Sequence, residues 1–192
     1  MNIDSGKQEL LHKLVNIQER LTDTEFHYWK IYSDYGTWQF WVNILMLIIP
    51  LIVLYFAIDR ERIFLLGFYG MQIHVWFTYL NSVGLRMGWW DYPNRIAPIF
   101  PFFSFSASFI PVIYILVYQW TLNHQKNFYL YTLITSVIIS FIIMPIFVAT
   151  NFFVLFKWIN YGWLLVFIVI VFLWSKLITN VFIFMQKRIK KA

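Results

Sequence analysis

Residues 38–58 read WQFWVNILMLIIPLIVLYFAI and hold no acidic or basic side chain. A helix rises about 1.5 Å per residue, so a stretch of this length covers the roughly 30 Å of hydrocarbon in a bilayer. Trp38, Trp41 and Tyr55 lie near its two ends, where amphipathic aromatic rings favour the headgroup layer. The stretch therefore predicts a transmembrane helix.

Four further stretches share this character and bring the set to five. They are residues 63–83, 99–120, 128–149 and 162–184. Lipid cannot satisfy the backbone of an open sheet, and the runs lack the alternating polarity of barrel strands. Hydrophobic residues make up 60% of the chain and charged residues only 12%, against about 25% in soluble domains. We predict an all-α polytopic membrane helical bundle with three parts: an amphipathic segment (1–37), five transmembrane helices (38–186) and a basic tail (187–192).

The N-terminal segment carries an apolar stripe at helical spacing. Its members follow alternating steps of four and three: Leu10, Leu14, Ile17, Leu21, Thr24, Tyr28 and Ile31. Thr22 and Glu25 form an S/T-x-x-E capping box, which predicts two short helices, 6–21 and 23–34. Three interpretations of the stripe stay open: contact with the membrane surface, packing on the bundle, or pairing with a second copy or a partner membrane protein.

Several chemistries are excluded by what the chain lacks. It has no cysteine, so disulfides and thiolate sites are impossible. It has no phosphate-binding Walker loop, no G-x-S-x-G and no H-E-x-x-H, and its four histidines are widely spaced. We therefore expect no cofactor, no metal site and no assigned catalytic residue. A non-enzymatic protein is favoured, and the question of an enzyme stays open.

The distribution of charge predicts an orientation. The net charge of +6 lies in short loops and the tail, which favours topology and lipid headgroups over nucleic acid. On the side of the C-terminus, the basic residues are Arg60, Arg62, Lys126 and four in the tail; on the other side they are Arg20, Lys30, Arg86, Arg95 and Lys157. Seven against five favours a plasma-membrane protein with its N-terminus outside and its C-terminus inside.

Polar groups converge in the second span and the loop that follows it. His74 shares a helical face with Thr78 and Asn81, and an ionisable residue at that depth is a functional hypothesis by default. Its other interpretation is a neutral imidazole bonded to a neighbour. Lys176 in the fifth span either extends toward the interface or binds an anion.

The loop after this span holds the densest set of reactive groups. Asp91 can pair with an arginine to form a rigid lid, or the arginines can bind headgroups or an acidic ligand. Prolines in the third and fourth spans free backbone carbonyls nearby. We therefore predict a ligand site between spans two, three and four, under this loop. Its candidate residues are His74, Thr78, Asn81, Arg86, Trp90, Asp91, Tyr92, Arg95 and Ser136.

Several motifs carry a resemblance to a known group of proteins. They are Leu21-Thr22-x-x-x-Phe26-x-Tyr28-Trp29, Gly88-Trp89-Trp90-Asp91-Tyr92-Pro93, Pro111-Val112-Ile113-Tyr114, Tyr118-Gln119 and Met144-Pro145-x-Phe147-Val148. With them, most of residues 20–180 resembles an uncharacterised family of small five-span membrane proteins from spore-forming Gram-positive bacteria. The resemblance implies location and topology but no activity. Met144 stands where that family often has a carboxylate, so no acid-dependent role is carried over.

Three hypotheses about function follow from these features. The first is a non-enzymatic sensor, accessory protein or binder of a lipid or apolar small molecule. The second is a membrane enzyme acting on a lipid or isoprenoid, with His74 or Asp91 as general base. A fainter likeness to small lycopene cyclases points the same way, although their proline-acid-acid signature is missing. The third is an oligomeric transporter component, since no internal repeat is visible in a chain this short.

Overall fold

The computed structural model describes residues 5–100 and 102–189, with the side chains of Ser5, Arg188 and Ile189 left out. Its helices are α1 (Ser5–Tyr32), α2 (Trp38–Ala57), α3 (Ile63–Arg86), α4 (Phe105–Asn123), α5 (Phe128–Ala149) and α6 (Tyr161–Ile189). Two short strands, β1 (Trp90–Asp91) and β2 (Val154–Leu155), pair in antiparallel. By length and composition, the helices α2 to α6 can each cross a membrane. The predicted all-α membrane bundle is therefore confirmed.

The five membrane helices run up and down between two ends. We call the end with residues 33–37, 87–104 and 150–160 the loop end, and the end with residues 58–62 and 124–127 the turn end. At the turn end, Gln119 receives a hydrogen bond from the backbone of Asp59 at 2.8 Å and donates one to the carbonyl of Ala57 at 2.8 Å. This amide holds α4 against the α2–α3 turn, which is short because a 3₁₀ turn (Arg60–Arg62) leads directly into α3.

The helix α3 lies at the centre of the bundle. One face of it is fully or almost fully buried against α4 and α6: Leu66, Tyr69, Ile73, Phe77 and Asn81. The facing stripe of α5, with Thr132, Ser136 and Ser140, is also fully buried. Small side chains let helices approach closely in lipid, where packing supplies most of the attraction.

Two π-helical turns interrupt α4 and α5, and both precede a proline by the same distance. They span Phe105–Phe109 and Ile139–Ile143, ahead of Pro111 and Pro145. Proline has no backbone N–H and clashes with the preceding turn. In each case the helix widens, and the amide before the proline bonds five residues back: Ile110 to Phe105 and Met144 to Ile139.

The N-terminal segment differs from its prediction. The helix α1 is a single helix, because Thr22 donates its hydroxyl hydrogen bond to the carbonyl of Gln18 at 2.9 Å and so does not cap a new start. The stripe does not pack on the bundle either: Leu10, Leu14, Ile17, Leu21, Tyr28 and Ile31 are exposed. Membrane contact and pairing with another chain are the interpretations left.

Three boundaries also differ from the predicted ones. The third span begins at Phe105, later than residue 99, because the preceding segment turns at the loop end, where Phe100 donates to the carbonyl of Ala97 at 3.1 Å. The second span extends to Arg86. Of the predicted basic tail, residues 187–189 continue α6, and residues 190–192 lie outside the described residues.

Candidate functional site

A small ribbon at the loop end closes the bundle beneath it. Trp90 pairs with Leu155 in the ribbon, and the amide of Phe156 donates to the carbonyl of Trp89 at 2.8 Å. The Trp90 ring is only 3% exposed and lies against Gly84 of α3. A Cβ atom at that glycine would lie 2.0 Å from the ring, so the ribbon can seat there only because the side chain is missing.

Arg95 organises the charged groups of the loop end. Its side chain is 6% exposed and pairs with Asp91 at 2.9 Å and with Glu25 of α1 at 3.2 Å. It also donates to the carbonyls of Tyr92 at 3.0 Å and Pro98 at 3.2 Å. A guanidinium with this many partners is a structural centre and has little capacity left for a ligand.

The backbone of Arg95 also fixes the last turns of α1. Its carbonyl accepts from the indole of Trp29 at 3.0 Å and the hydroxyl of Ser33 at 3.2 Å, while its amide donates to the same hydroxyl at 2.7 Å. Ser33 is fully buried. These contacts join α1 to the loop end although its N-terminal turns touch little else.

A groove of about 630 Å³ opens between α1, α3 and the segment leading into α4. Helix α1 contributes Gln18, Leu21 and Glu25. The polar residues from the rest of the chain are His74, Thr78, Ser82, Arg86, Asp91 and Ser106, and the apolar walls are Leu85, Pro98, Ile99, Phe100, Phe102 and Phe103. The groove is thus charged at the loop end and becomes apolar with isolated polar groups toward the middle of α3.

The geometry of His74 follows from the π-helical turn of α4. In that turn, the carbonyl of Ser106 would be bonded by residue 111, which is a proline without an N–H. The freed oxygen lies 2.7 Å from Nδ1 of His74. Because a carbonyl only accepts, Nδ1 carries the proton, and Nε2 of the neutral ring is left with a lone pair.

The nine predicted site residues fall into three groups. His74, Thr78, Arg86 and Asp91 line the groove, and Arg95 lies beside it through Asp91. Asn81, Trp90 and Tyr92 lie in the core behind it and line a separate void of about 30 Å³. Ser136 is apart from both, where its hydroxyl lies 2.7 Å from that of Tyr114.

Tyr92 illustrates the structural role of the second group. Its hydroxyl donates to Oδ1 of Asn81 at 2.5 Å, and its amide donates to Asp91 at 2.7 Å. Burial, and then the nearby Asp91 charge, raise the pKa of Tyr92 well above its ordinary value of 10. The phenol therefore stays protonated and holds the loop on α3.

Sequence reasoning missed three contributors to the groove: Gln18, Glu25 and the carbonyl of Ser106. The contact between Glu25 and Arg95 joins residues 70 positions apart, and no local pattern signals it. The Ser106 carbonyl had a signal, since Pro111 stands five residues later.

Lys176 lies outside the groove, buried near the turn end. Its ammonium donates to the hydroxyl of Tyr118 at 2.5 Å and lies 4.9 Å from the centre of the Phe128 ring. Aromatic rings stabilise a cation in this position. Within the described chain, no carboxylate pairs with it.

Across residues 5–100 and 102–189, no group of three or more histidine, aspartate or glutamate side chains is placed to hold a metal ion. Comparisons with protein-family models, curated proteins and solved structures found no match. The functional argument therefore depends on the geometry of the groove itself.

Proposed function

We propose that this membrane protein binds an amphiphilic lipid with a zwitterionic head group in the groove beside α1. The observation that carries the proposal is the composition of the groove: an apolar volume of about 630 Å³ whose mouth presents an uncompensated guanidinium and two partly used carboxylates. Ligand sites are typically concave and mainly apolar, with a few convergent polar groups.

The charges at the mouth suit a head group with both signs. Arg86 is exposed and has no ion-pair partner among the described residues. Asp91 and Glu25 each give one oxygen to Arg95, and their other oxygens have no partner in the described chain. A phosphate can bind the guanidinium in a bidentate manner, and an ammonium group can bind the free carboxylate oxygens.

The depth of the mouth supports the same ligand. Aromatic side chains surround the loop end, as in the belts that mark the boundary between headgroups and hydrocarbon: Trp38, Trp41, Trp89, Trp158 and Trp163. Charged groups of the groove then lie among lipid headgroups, and its phenylalanines lie at the depth of acyl chains.

Native mass spectrometry with phosphatidylethanolamine tests this proposal. We expect Arg86→Gln to lower the affinity about tenfold, because a charge-assisted hydrogen bond contributes roughly 1.5–3 kcal/mol and this one is open to solvent. Arg60→Gln makes the same charge change at the turn end and should leave the affinity unchanged. Equal affinities for the wild type and both variants would contradict the proposal.

We also propose that the groove mouth faces the outside of a bacterial plasma membrane. The larger count of basic residues near the turn end and the C-terminus supports this orientation. Reporter fusions at the C-terminus and after residue 126 should be active in the cytoplasm, and a fusion in the loop at residue 88 should be inactive there. The reverse pattern would refute the orientation.

A further inference from the structure

The groove continues beyond its charged mouth to a second pair of polar atoms on α3, which the phospholipid head group does not use. His74 lies twelve residues before Arg86, so about 18 Å of helix separates them. Thr78 lies one turn from His74 on the same face, and both line the groove. This pair therefore lies alongside the hydrocarbon part of a bound lipid.

The first atom of the pair is Nε2 of His74. The Ser106 carbonyl fixes the proton on Nδ1, so Nε2 is an acceptor, and within the described residues it has no donor. An unpaired acceptor at the depth of the hydrocarbon is costly, because lipid offers no hydrogen bond to replace it.

The second atom is the hydroxyl oxygen of Thr78. Helical threonines ordinarily donate to a carbonyl one turn earlier. Six others in the described helices do so: Thr22, Thr24, Thr121, Thr132, Thr135 and Thr179. Thr78 is the exception, since its hydroxyl is buried and has no partner in the described part of the chain.

We propose that His74 and Thr78 form a subsite that selects a lipid with a hydroxyl group on its acyl chain. A hydroxyl donates to Nε2 and accepts from the threonine hydroxyl, so a single O–H group satisfies both atoms at once. A plain acyl chain satisfies neither. This inference rests on the proposed binding of a phospholipid in the groove and adds the selectivity for the chain.

A matched pair of ligands tests the subsite: lysophosphatidylethanolamine with a stearoyl chain and the same lipid with a 12-hydroxystearoyl chain. By titration in native mass spectrometry, we expect the hydroxylated lipid to bind the wild type about tenfold more tightly, which corresponds to about 1.4 kcal/mol. Thr78→Val keeps the side-chain shape and should reduce this preference to about threefold. Thr135→Val, on α5, should leave it at tenfold.

His74→Leu should abolish the preference, and Thr78→Val keeps the test decisive if the leucine variant fails to fold. Equal binding of the two lipids, with an Arg86-dependent affinity for both, would overturn the subsite while the proposed function stands. Isolated water bridging the two side chains in a lipid-filled groove would also overturn it. Failure of both lipids to bind through Arg86 would overturn both proposals.

Discussion

Replacing Gly84 with alanine tests how the loop end is attached to the bundle. An added Cβ would lie 2.0 Å from Cζ2 and 2.2 Å from Cε2 of Trp90, far inside contact distance. The indole is rigid and 3% exposed, so it cannot turn aside without moving the ribbon of β1 and β2. Overpacking of this kind destabilises a protein by about 1–3 kcal/mol.

Gly67 provides a matched control on the same helix. No atom lies within 4 Å of a Cβ built there, so Gly67→Ala should stabilise α3 by roughly 0.5–1 kcal/mol through helix propensity alone. The two alanine variants should therefore differ by roughly 1.5–4 kcal/mol, with Gly84→Ala the less stable.

The free energy of unfolding in detergent micelles, measured by titration with sodium dodecyl sulfate and followed by circular dichroism, compares the variants. A Gly84→Ala variant as stable as the Gly67→Ala variant would refute the close contact between Trp90 and α3. It would also remove the reason for the position of the loop that bears Asp91 and Arg95.

Two further predictions concern the groove's supports. Arg95→Ala should free the last turns of α1, because it removes both carboxylate contacts and two carbonyl contacts; amide hydrogen exchange around Trp29 should rise at least tenfold, and unchanged exchange would contradict this role. Tyr92→Phe should lower stability near pH 7 by about 1–3 kcal/mol, since Asn81 loses its donor. The raised pKa of Tyr92 means that its contribution is complete below pH 10 and is lost as the pH rises further, at up to about 1.4 kcal/mol per pH unit. Between pH 10 and 11 the wild type should therefore lose stability more steeply than the phenylalanine variant, and parallel profiles would count against this reasoning.

The sequence predicts the membrane helices well because their signal is local. Each span needs only a long apolar run, and the run of residues 38–58 contains it in full. The capping box at Thr22 and Glu25 is also local, yet it misleads: the Thr22 hydroxyl bonds backward within the helix, and the Glu25 carboxylate is used by Arg95. A distant partner decided the fate of a motif that looked self-contained.

The candidate site could be predicted only in part, for a related reason. Helical periodicity shows that His74 and Thr78 share a face, but it does not show which segment covers that face. The prediction placed spans three and four around them, whereas α1 and the segment before Phe105 form the groove and Ser136 lies elsewhere. The orientation of the His74 ring was within reach of sequence reasoning, since Pro111 leaves the Ser106 carbonyl without its helical donor.

A density map of the protein in nanodiscs of phosphatidylethanolamine, at a resolution that separates lipid from water, tests the central claim most directly. The account predicts one elongated density in the groove, with its head group at Arg86 and its chain passing Phe102 toward His74. A groove filled by side chains of α1, or holding only separate water-sized peaks, would contradict it.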